Sequence, residues 1–204
     1  MNYITAGVRV FVDRTYEYIN TFSNDISDNN IQPLKKRIFL KVPMVTQVKT
    51  FLSPPTYIVN GIYLGSAFNA SNKELLDYYN IKYIINVTNE ISNYYPEDIT
   101  YVNYKIYDNN KDKISDFLDD SYIKLKEFIN NNNGNILVHC FMGASRSATV
   151  VAHYLIKEFN LSPELAIINL KEKRITINLT NRFYNDLQEK YKRDNFPNRT
   201  KLTE

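Results

Sequence analysis

The chain has 204 residues and a single cysteine, Cys140, whose neighbours suggest a chemical role. Five residues separate this thiol from the guanidinium of Arg146 in the sequence Cys-Phe-Met-Gly-Ala-Ser-Arg. A loop of this length can curl its backbone N–H groups around an oxyanion, and an arginine can bind two phosphate oxygens at once. A thiol placed before a helix and beside a guanidinium is expected to ionise readily and act as a nucleophile. The spacing therefore predicts a phosphate-binding loop with a reactive cysteine at its base.

The residues around this pair have supporting roles in the same hypothesis. Gly143 permits a backbone turn that a side chain would obstruct. We expect the Ser147 hydroxyl to stabilise the Cys140 thiolate when this thiolate is released from phosphorus. We also expect the ring of His139 to support the loop through hydrogen bonds. The predicted phosphate-binding residues are those that form the loop: Phe141, Met142, Gly143, Ala144, Ser145 and Arg146. The alternative, an inert buried cysteine at a strand end, leaves both Gly143 and Arg146 unexplained.

The flanking elements are predicted to be strands and helices in alternation. From about residue 56, short apolar runs alternate with longer amphipathic stretches, which is typical of a single α/β domain with a mainly parallel central sheet flanked by helices. The run 136–138 predicts a buried strand that leads to Cys140, and residues 147–159 predict a central helix after it. Residues 114–129 predict another helix, with Ser115 as a possible cap, and two more helices are expected from Ser162-Pro163 and over 179–191.

Length and composition limit the possible organisation. With 44% hydrophobic residues, the chain can bury one sizeable core. We predict an N-terminal extension of unknown fold over residues 1–55, a catalytic domain over 56–195 and a C-terminal tail over 196–204. Within the extension only residues 8–19 look able to form a helix. That segment is amphipathic, so it is a candidate for pairing two chains in a homodimer.

Charge and hydropathy exclude two classes of partner. The net charge of +3 arises from charges spread along the chain, without the basic block that binds nucleic acid. No stretch approaches the roughly 18 apolar residues of a membrane span. The first residues also lack the pattern of a secretory signal. We therefore expect a cytoplasmic protein that binds neither nucleic acid nor membrane.

The motif HCFMGASRSAT resembles the signature loop of the protein tyrosine phosphatase superfamily, in the form that dual-specificity phosphatases use. Two further segments are similar to that family: GIYLGSAFNASNKELLDYYNIKYIINVT before the loop and VVAHYLIKEFNLSPELAIINLKEKR after it. The resemblance covers about residues 56–192. It implies hydrolysis of phosphotyrosine and of phosphoserine or phosphothreonine in proteins, through a phosphocysteine intermediate on Cys140 and without a metal or other cofactor.

The same reaction needs an acid that protonates the leaving oxygen. Asp108 follows the strand-like run ITYVNYKIY, so it is expected at the carboxyl edge of the sheet, where the loop also begins. The segment YKIYDNNKDKISDFL and its distance before Cys140 resemble the acid loop of the family. Asp112 and Asp116 are the nearby alternatives, although Asp116 falls within a predicted helix.

The chain departs from the family pattern after the late arginine, where Leu179 and Thr180 replace the family's Pro-Asn pair. The support that the family's Asn gives to the loop is therefore either lost or taken over by Thr180 or Asn181. The uncharged side chains of the loop disfavour an inositol lipid and favour a protein substrate. Two alternatives remain open: a pseudophosphatase that binds phosphoproteins without turnover, and a phosphatase for a non-protein phosphate such as a phospholipid, a nucleic-acid end or a glucan.

Overall fold

The computed structural model describes residues 37–107 and 113–192. The chain divides between Arg37 and Ile38, and the second unit, Ile38–Glu204, contains every element described below. In chain order these are α1 (Met44–Leu52), β1 (Thr56–Val59), β2 (Ile62–Gly65), α2 (Ala67–Ser71), α3 (Lys73–Tyr78), β3 (Ile81–Asn86), β4 (Thr100–Asn103), α4 (Ser115–Asn131), β5 (Asn135–His139), α5 (Arg146–Phe159), α6 (Pro163–Lys173) and α7 (Asn181–Lys190). None of the described helices is long and apolar enough to cross a membrane.

The strands form one five-stranded sheet in the order β1-β2-β5-β3-β4. Only the β1–β2 pair is antiparallel, and the other three pairs are parallel. Strand β5 lies at the centre, and its residues Ile136, Leu137 and Val138 are all buried because helices cover both faces of the sheet. The predicted α/β domain with a mainly parallel sheet is confirmed.

The register of the sheet brings the ends of several strands to one edge. Asn86, the last residue of β3, lies opposite both Asn103 of β4 and His139 of β5. The Val87 N–H continues this pairing by donating to the His139 carbonyl at 2.9 Å. Because parallel strands run in the same direction, the loops that follow β3, β4 and β5 all leave from this carboxyl edge.

The helix after the loop is central, as the sequence predicts. Every residue of α5 from Arg146 to Ile156 is buried. The helix ends at Phe159, and the next residue, Asn160, stops it with a left-handed φ of 52°. The predicted start of α6 is also confirmed. Its cap, Ser162, accepts a hydrogen bond from the Leu165 N–H at 3.3 Å, and Pro163 occupies the first helical position.

The expectation that Ser115 caps α4 is wrong. Ser115 is the first residue of the helix, and its hydroxyl donates to the Asp116 carboxylate at 3.3 Å. The buried N–H of Ile114, which precedes the helix, instead donates to the Asp186 carboxylate of α7 at 3.2 Å. A partner 72 positions away in the chain therefore satisfies this helix end.

Part of the predicted extension is ordered as a helix, so the expectation that only residues 8–19 could be helical is wrong. The carbonyl of Pro43 accepts hydrogen bonds from the N–H groups of Thr46 and Gln47 and opens α1. Residues 8–19 and the tail 196–204 lie outside the described residues. The division of the chain at residues 55 and 56 stays a prediction.

The packing of β5 predicts that Leu137→Ala strongly destabilises the protein. Leu137 is fully buried in a cluster with Ala70, Leu76 and Ile84, so truncation leaves a cavity and should lower the free energy of unfolding by about 2–5 kcal/mol. The matched control is Ile123→Ala on α4, where the side chain is 60% exposed and the expected loss is small. Urea unfolding measures both variants, and equal losses would contradict this account of the core.

Candidate active site

Arg174 lies immediately behind the loop 140–146 that joins β5 to α5. Its Nε donates to the Gly143 carbonyl at 2.9 Å and its Nη2 to the Met142 carbonyl at 3.2 Å. The same guanidinium donates to the Thr50 carbonyl of α1 and to the Thr56 hydroxyl of β1, both at 3.3 Å. The residue is 2% exposed, and burial lowers the pKa of Arg174 to about 10, so it stays charged at neutral pH. Sequence reasoning assigned it no role.

The remaining carbonyl groups of the loop are also bonded on its outer side. The Cys140 carbonyl lies 3.4 Å from Nδ1 of His139. Three further carbonyls accept backbone hydrogen bonds of 2.9 Å, in the pairs Ala67 N–H with Phe141, Asn178 N–H with Ala144, and Thr149 N–H with Ser145. A trans peptide group points its C=O and the next N–H in opposite directions. The N–H groups of residues 141–146 therefore point towards the centre of the loop, which forms a nest for an anion.

Gly143 is required at the closest approach within this loop. Its φ is +68°, and a Cβ there would lie 2.4 Å from the Gly65 carbonyl oxygen and 3.0 Å from Nη2 of Arg174. Neither the backbone of β2 nor the buried guanidinium can move away easily. The structure thus gives a specific reason for the glycine that the sequence analysis expected at this turn.

Cys140 sits at the base of the nest and is 2% exposed. The Ser147 hydroxyl, on the first turn of α5, donates to its Sγ at 3.2 Å. His139 ends β5 and is buried, and this burial lowers the pKa of His139 to about 4. Its imidazole is therefore neutral at physiological pH, which suits hydrogen-bonding support of the loop and not charge stabilisation.

Arg146 is held by a carboxylate that sequence reasoning missed. Its Nη1 and Nη2 donate to the two oxygens of Glu90 at 2.8 and 2.6 Å, and Nη1 also donates to the Ile106 carbonyl at 3.0 Å. The Arg146 side chain is 3% exposed and that of Glu90 is 39% exposed. The hydrogen bond from Arg146 lowers the pKa of Glu90, which keeps the carboxylate ionised. The one sequence signal for this role was that Glu90 is an acidic residue shortly after β3, a strand that ends at the carboxyl edge of the sheet.

The turn that carries Glu90 is shaped by two polar side chains at the end of β3. The Asn86 side chain donates to the Ile91 carbonyl at 2.8 Å and accepts from the Thr88 hydroxyl at 2.6 Å. The Ile91 N–H in turn donates to the Thr88 hydroxyl at 3.2 Å. These bonds fix the turn that presents Glu90 to Arg146.

The predicted acid, Asp108, and its alternative Asp112 lie outside the described residues. Strand β4 ends at Asn103, earlier than the sequence pattern indicated. In the segment that follows, the Ile106 carbonyl accepts a hydrogen bond from Arg146. Asp116 is exposed in the first turn of α4. The assignment of Asp108 stays a prediction.

The replacement of the family's Pro-Asn pair is compensated by backbone groups. The Thr180 N–H donates to the Ser145 hydroxyl at 3.3 Å, while its own hydroxyl accepts from the Phe183 N–H and caps α7. Asn178 supports the loop through its N–H in the bond already described. Thr180 thus contacts the loop, although through its backbone and not through its side chain.

Comparison with known proteins agrees with this geometry. Residues 62–193 match the family described as "Dual specificity phosphatase, catalytic domain". Protein phosphatase Slingshot of Drosophila melanogaster is 33% identical over 174 residues, which cover 85% of this chain and 16% of that protein. Dual specificity protein phosphatase 1 of Arabidopsis thaliana is 30% identical over 160 residues, which cover 78% of this chain and 80% of that protein. A crystal structure of human DUSP28 matches with a TM-score of 0.63 at 22% identity, over 73% of this chain and 94% of that one.

These matches support different conclusions about the chain. The chain spans less than a fifth of the length of the Slingshot proteins, with 16, 12 and 19% for those of fly, human and Xenopus laevis. The likeness to DUSP28 concerns the fold alone. The family match, in contrast, extends over most of the chain and includes Cys140, Arg146 and Arg174. The chain belongs to the dual-specificity phosphatase family through its catalytic domain.

Proposed function

We propose that this chain is a protein phosphatase that hydrolyses phosphotyrosine and phosphoserine or phosphothreonine through a phosphocysteine intermediate. The observation that carries the proposal is the bonding of the loop carbonyls on the outer side, by Arg174 and backbone N–H groups. This bonding leaves the N–H groups of residues 141–146 turned towards the inside of the loop, which supports their binding of the phosphate oxygens while Cys140 attacks.

In the first step, Sγ of Cys140 attacks phosphorus while the bond between phosphorus and the substrate oxygen breaks. The N–H groups of the loop and the guanidinium of Arg146 hold the three non-bridging oxygens and offset their charge. Asp108 donates its proton to the departing oxygen, so a neutral alcohol or phenol leaves. The enzyme then carries a phosphocysteine.

In the second step, a water oxygen attacks the same phosphorus and the S–P bond breaks. The proton of that water passes to the Asp108 carboxylate, and inorganic phosphate is released. The leaving thiolate is stabilised by the Ser147 hydroxyl, which lies 3.2 Å from Sγ. Cys140 and Asp108 thus return to their starting protonation states.

Protein substrates fit the mouth of the site better than highly charged ligands. The side chains of Phe141, Met142, Ala144 and Ser145 are uncharged, and Phe141 is 46% exposed beside Phe51 of α1, with ring centroids 5.8 Å apart. Such a surface suits apolar parts of a peptide. Two further proposals rest on the sequence pattern alone, namely a cytoplasmic location and a homodimer formed by residues 8–19.

Cys140→Ser should abolish turnover without abolishing binding. Loss of the nucleophile is expected to lower kcat for an aryl phosphate and for phosphotyrosine peptides by at least about 10⁴-fold. The loop amides and Arg146 remain, so calorimetry should still detect phosphopeptide binding. Full activity in this variant would refute the mechanism. A wild type that binds phosphopeptides without any turnover would identify a pseudophosphatase, and turnover of only non-protein phosphates would exclude the protein class.

Asp108→Asn should slow hydrolysis of phosphotyrosine peptides by about 10²–10⁴-fold, because the leaving oxygen loses its proton donor. An aryl phosphate with a strongly acidic leaving group should lose less, since it needs no proton. Asp112→Asn and Asp116→Asn are the matched comparisons, measured by kcat with the same substrates. A larger loss in either of them would move the acid assignment away from Asp108.

Glu90→Gln tests whether the ion pair holds Arg146 in position. Without the charged partner, the guanidinium is less well oriented, and KM for an aryl phosphate should rise about tenfold with a smaller change in kcat. Glu97→Gln, which makes the same change at another exposed glutamate, is the matched control. A decrease in KM would show the opposite role, a carboxylate that competes with substrate for Arg146.

A further inference from the structure

We propose that a cavity beside Cys140 is a subsite for an acidic side chain of the protein substrate, close in sequence to the phosphorylated residue; this rests on the proposed function. The cavity has a volume of about 350 Å³. Its walls are the 140–146 loop, the connection between α6 and α7, and a third surface, which we call the N-terminal wall and which consists of Leu40, Lys41, Val42 and Gln47.

The N-terminal wall is anchored to the domain through its backbone. Nζ of Lys171, on α6, donates to the carbonyls of Ile38 and Leu40, both at 2.8 Å. The Gln47 side chain donates to the Val42 carbonyl at 3.0 Å, and Ile38 itself is fully buried. Hydrogen bonds thus hold the N-terminal wall in place at the cavity.

The distance between this wall and the reactive loop is also constrained. Arg174 binds the Thr50 carbonyl of α1 with the same Nη2 atom that binds the Met142 carbonyl of the loop. The helix that continues the wall and the loop that holds Cys140 thus share one buried cation. A peptide whose phosphate lies in the loop would have a neighbouring side chain at a defined distance from the wall.

The lining of the cavity matches a side chain with an apolar stem and an anionic end. Val42, Met142 and Ile175 supply apolar surface. Lys41 is the only basic side chain of the lining, and within residues 37–107 and 113–192 it forms no ion pair. Thr176 is 6% exposed, and its hydroxyl has no hydrogen-bond partner among the described residues. A buried hydroxyl of this kind is unfavourable until a ligand completes its bonding.

A carboxylate is a better occupant than a second phosphate. Phosphate groups are usually recognised by clusters of arginines, which can bind several oxygens at once. Here the lining supplies one lysine and one unpartnered hydroxyl, which suffices for the two oxygens of a carboxylate. The apolar walls favour glutamate over aspartate, because the longer stem can contact them before the carboxylate reaches Lys41.

The test uses phosphotyrosine peptides that differ only in carrying Glu, Gln or Lys at each position near the phosphotyrosine, together with an aryl phosphate. The ratio of kcat/KM between the Glu and Gln peptides should be about fivefold at one position. That ratio should approach one in Lys41→Met and invert in Lys41→Glu, which should then prefer the Lys peptide. Thr176→Val, which keeps the shape of the side chain, should reduce the ratio partly.

Lys49→Glu is the matched control, because it reverses an exposed charge on α1 outside the cavity lining and should leave the ratio unchanged. The subsite is refuted if no position shows a Glu preference, if the preference survives Lys41→Glu, or if Lys49→Glu removes it equally. A stronger preference for a second phosphorylated residue refutes the carboxylate as occupant.

Binding separates this proposal from the catalytic one. In the Cys140→Ser background, calorimetry gives Kd for the same peptides whether or not the wild type turns them over. A Glu preference that depends on Lys41 supports the subsite even in a protein without activity. Equal Kd values for the Glu and Gln peptides refute it even in an active enzyme, for which aryl phosphate hydrolysis is the independent measure.

Discussion

The site depends on the orientation of the peptide groups in the 140–146 loop. Amides can converge on a phosphate only if their carbonyls are bonded elsewhere, because a buried carbonyl without a partner is costly. Arg174 satisfies two of them and also binds α1 and β1. A lysine could not replace it, since only the planar guanidinium offers several donors in a fixed arrangement. The hydrogen bonds to the loop carbonyls therefore determine which way the loop N–H groups point.

The register of the sheet explains how distant residues meet at this loop. Cys140 follows β5, Glu90 follows β3, and Ile106 follows β4, and these three strands end level with Asn86. Their loops therefore converge on Arg146, which binds both the Glu90 carboxylate and the Ile106 carbonyl. The arginine is held in place before any phosphate arrives, so little of the binding energy is lost in ordering it.

The loop 140–146 and the N-terminal wall of the cavity beside it come from different parts of the chain. The loop is largely buried within the α/β domain. The cavity beside it is lined partly by residues from the segment 38–53, which the sequence suggested to be outside the domain. This segment is bound to the domain by several hydrogen bonds, including those from Ser66 to the Phe51 carbonyl at 2.7 Å and from Asn69 to the Ser53 carbonyl at 2.8 Å. The segment can therefore change its exposed side chains without disturbing the nest.

The sequence alone determined the features that depend on neighbours in the chain. The spacing of Cys140 and Arg146, the glycine turn and the start of α6 at Ser162 are local patterns, so they could be predicted. The contacts of Arg174, the Glu90–Arg146 pair and the capping of Ile114 by Asp186 were decided by the tertiary structure. These contacts join residues far apart in the chain, and several have backbone carbonyls as acceptors. Every residue carries a carbonyl, so the sequence holds no sign of which ones will be bound.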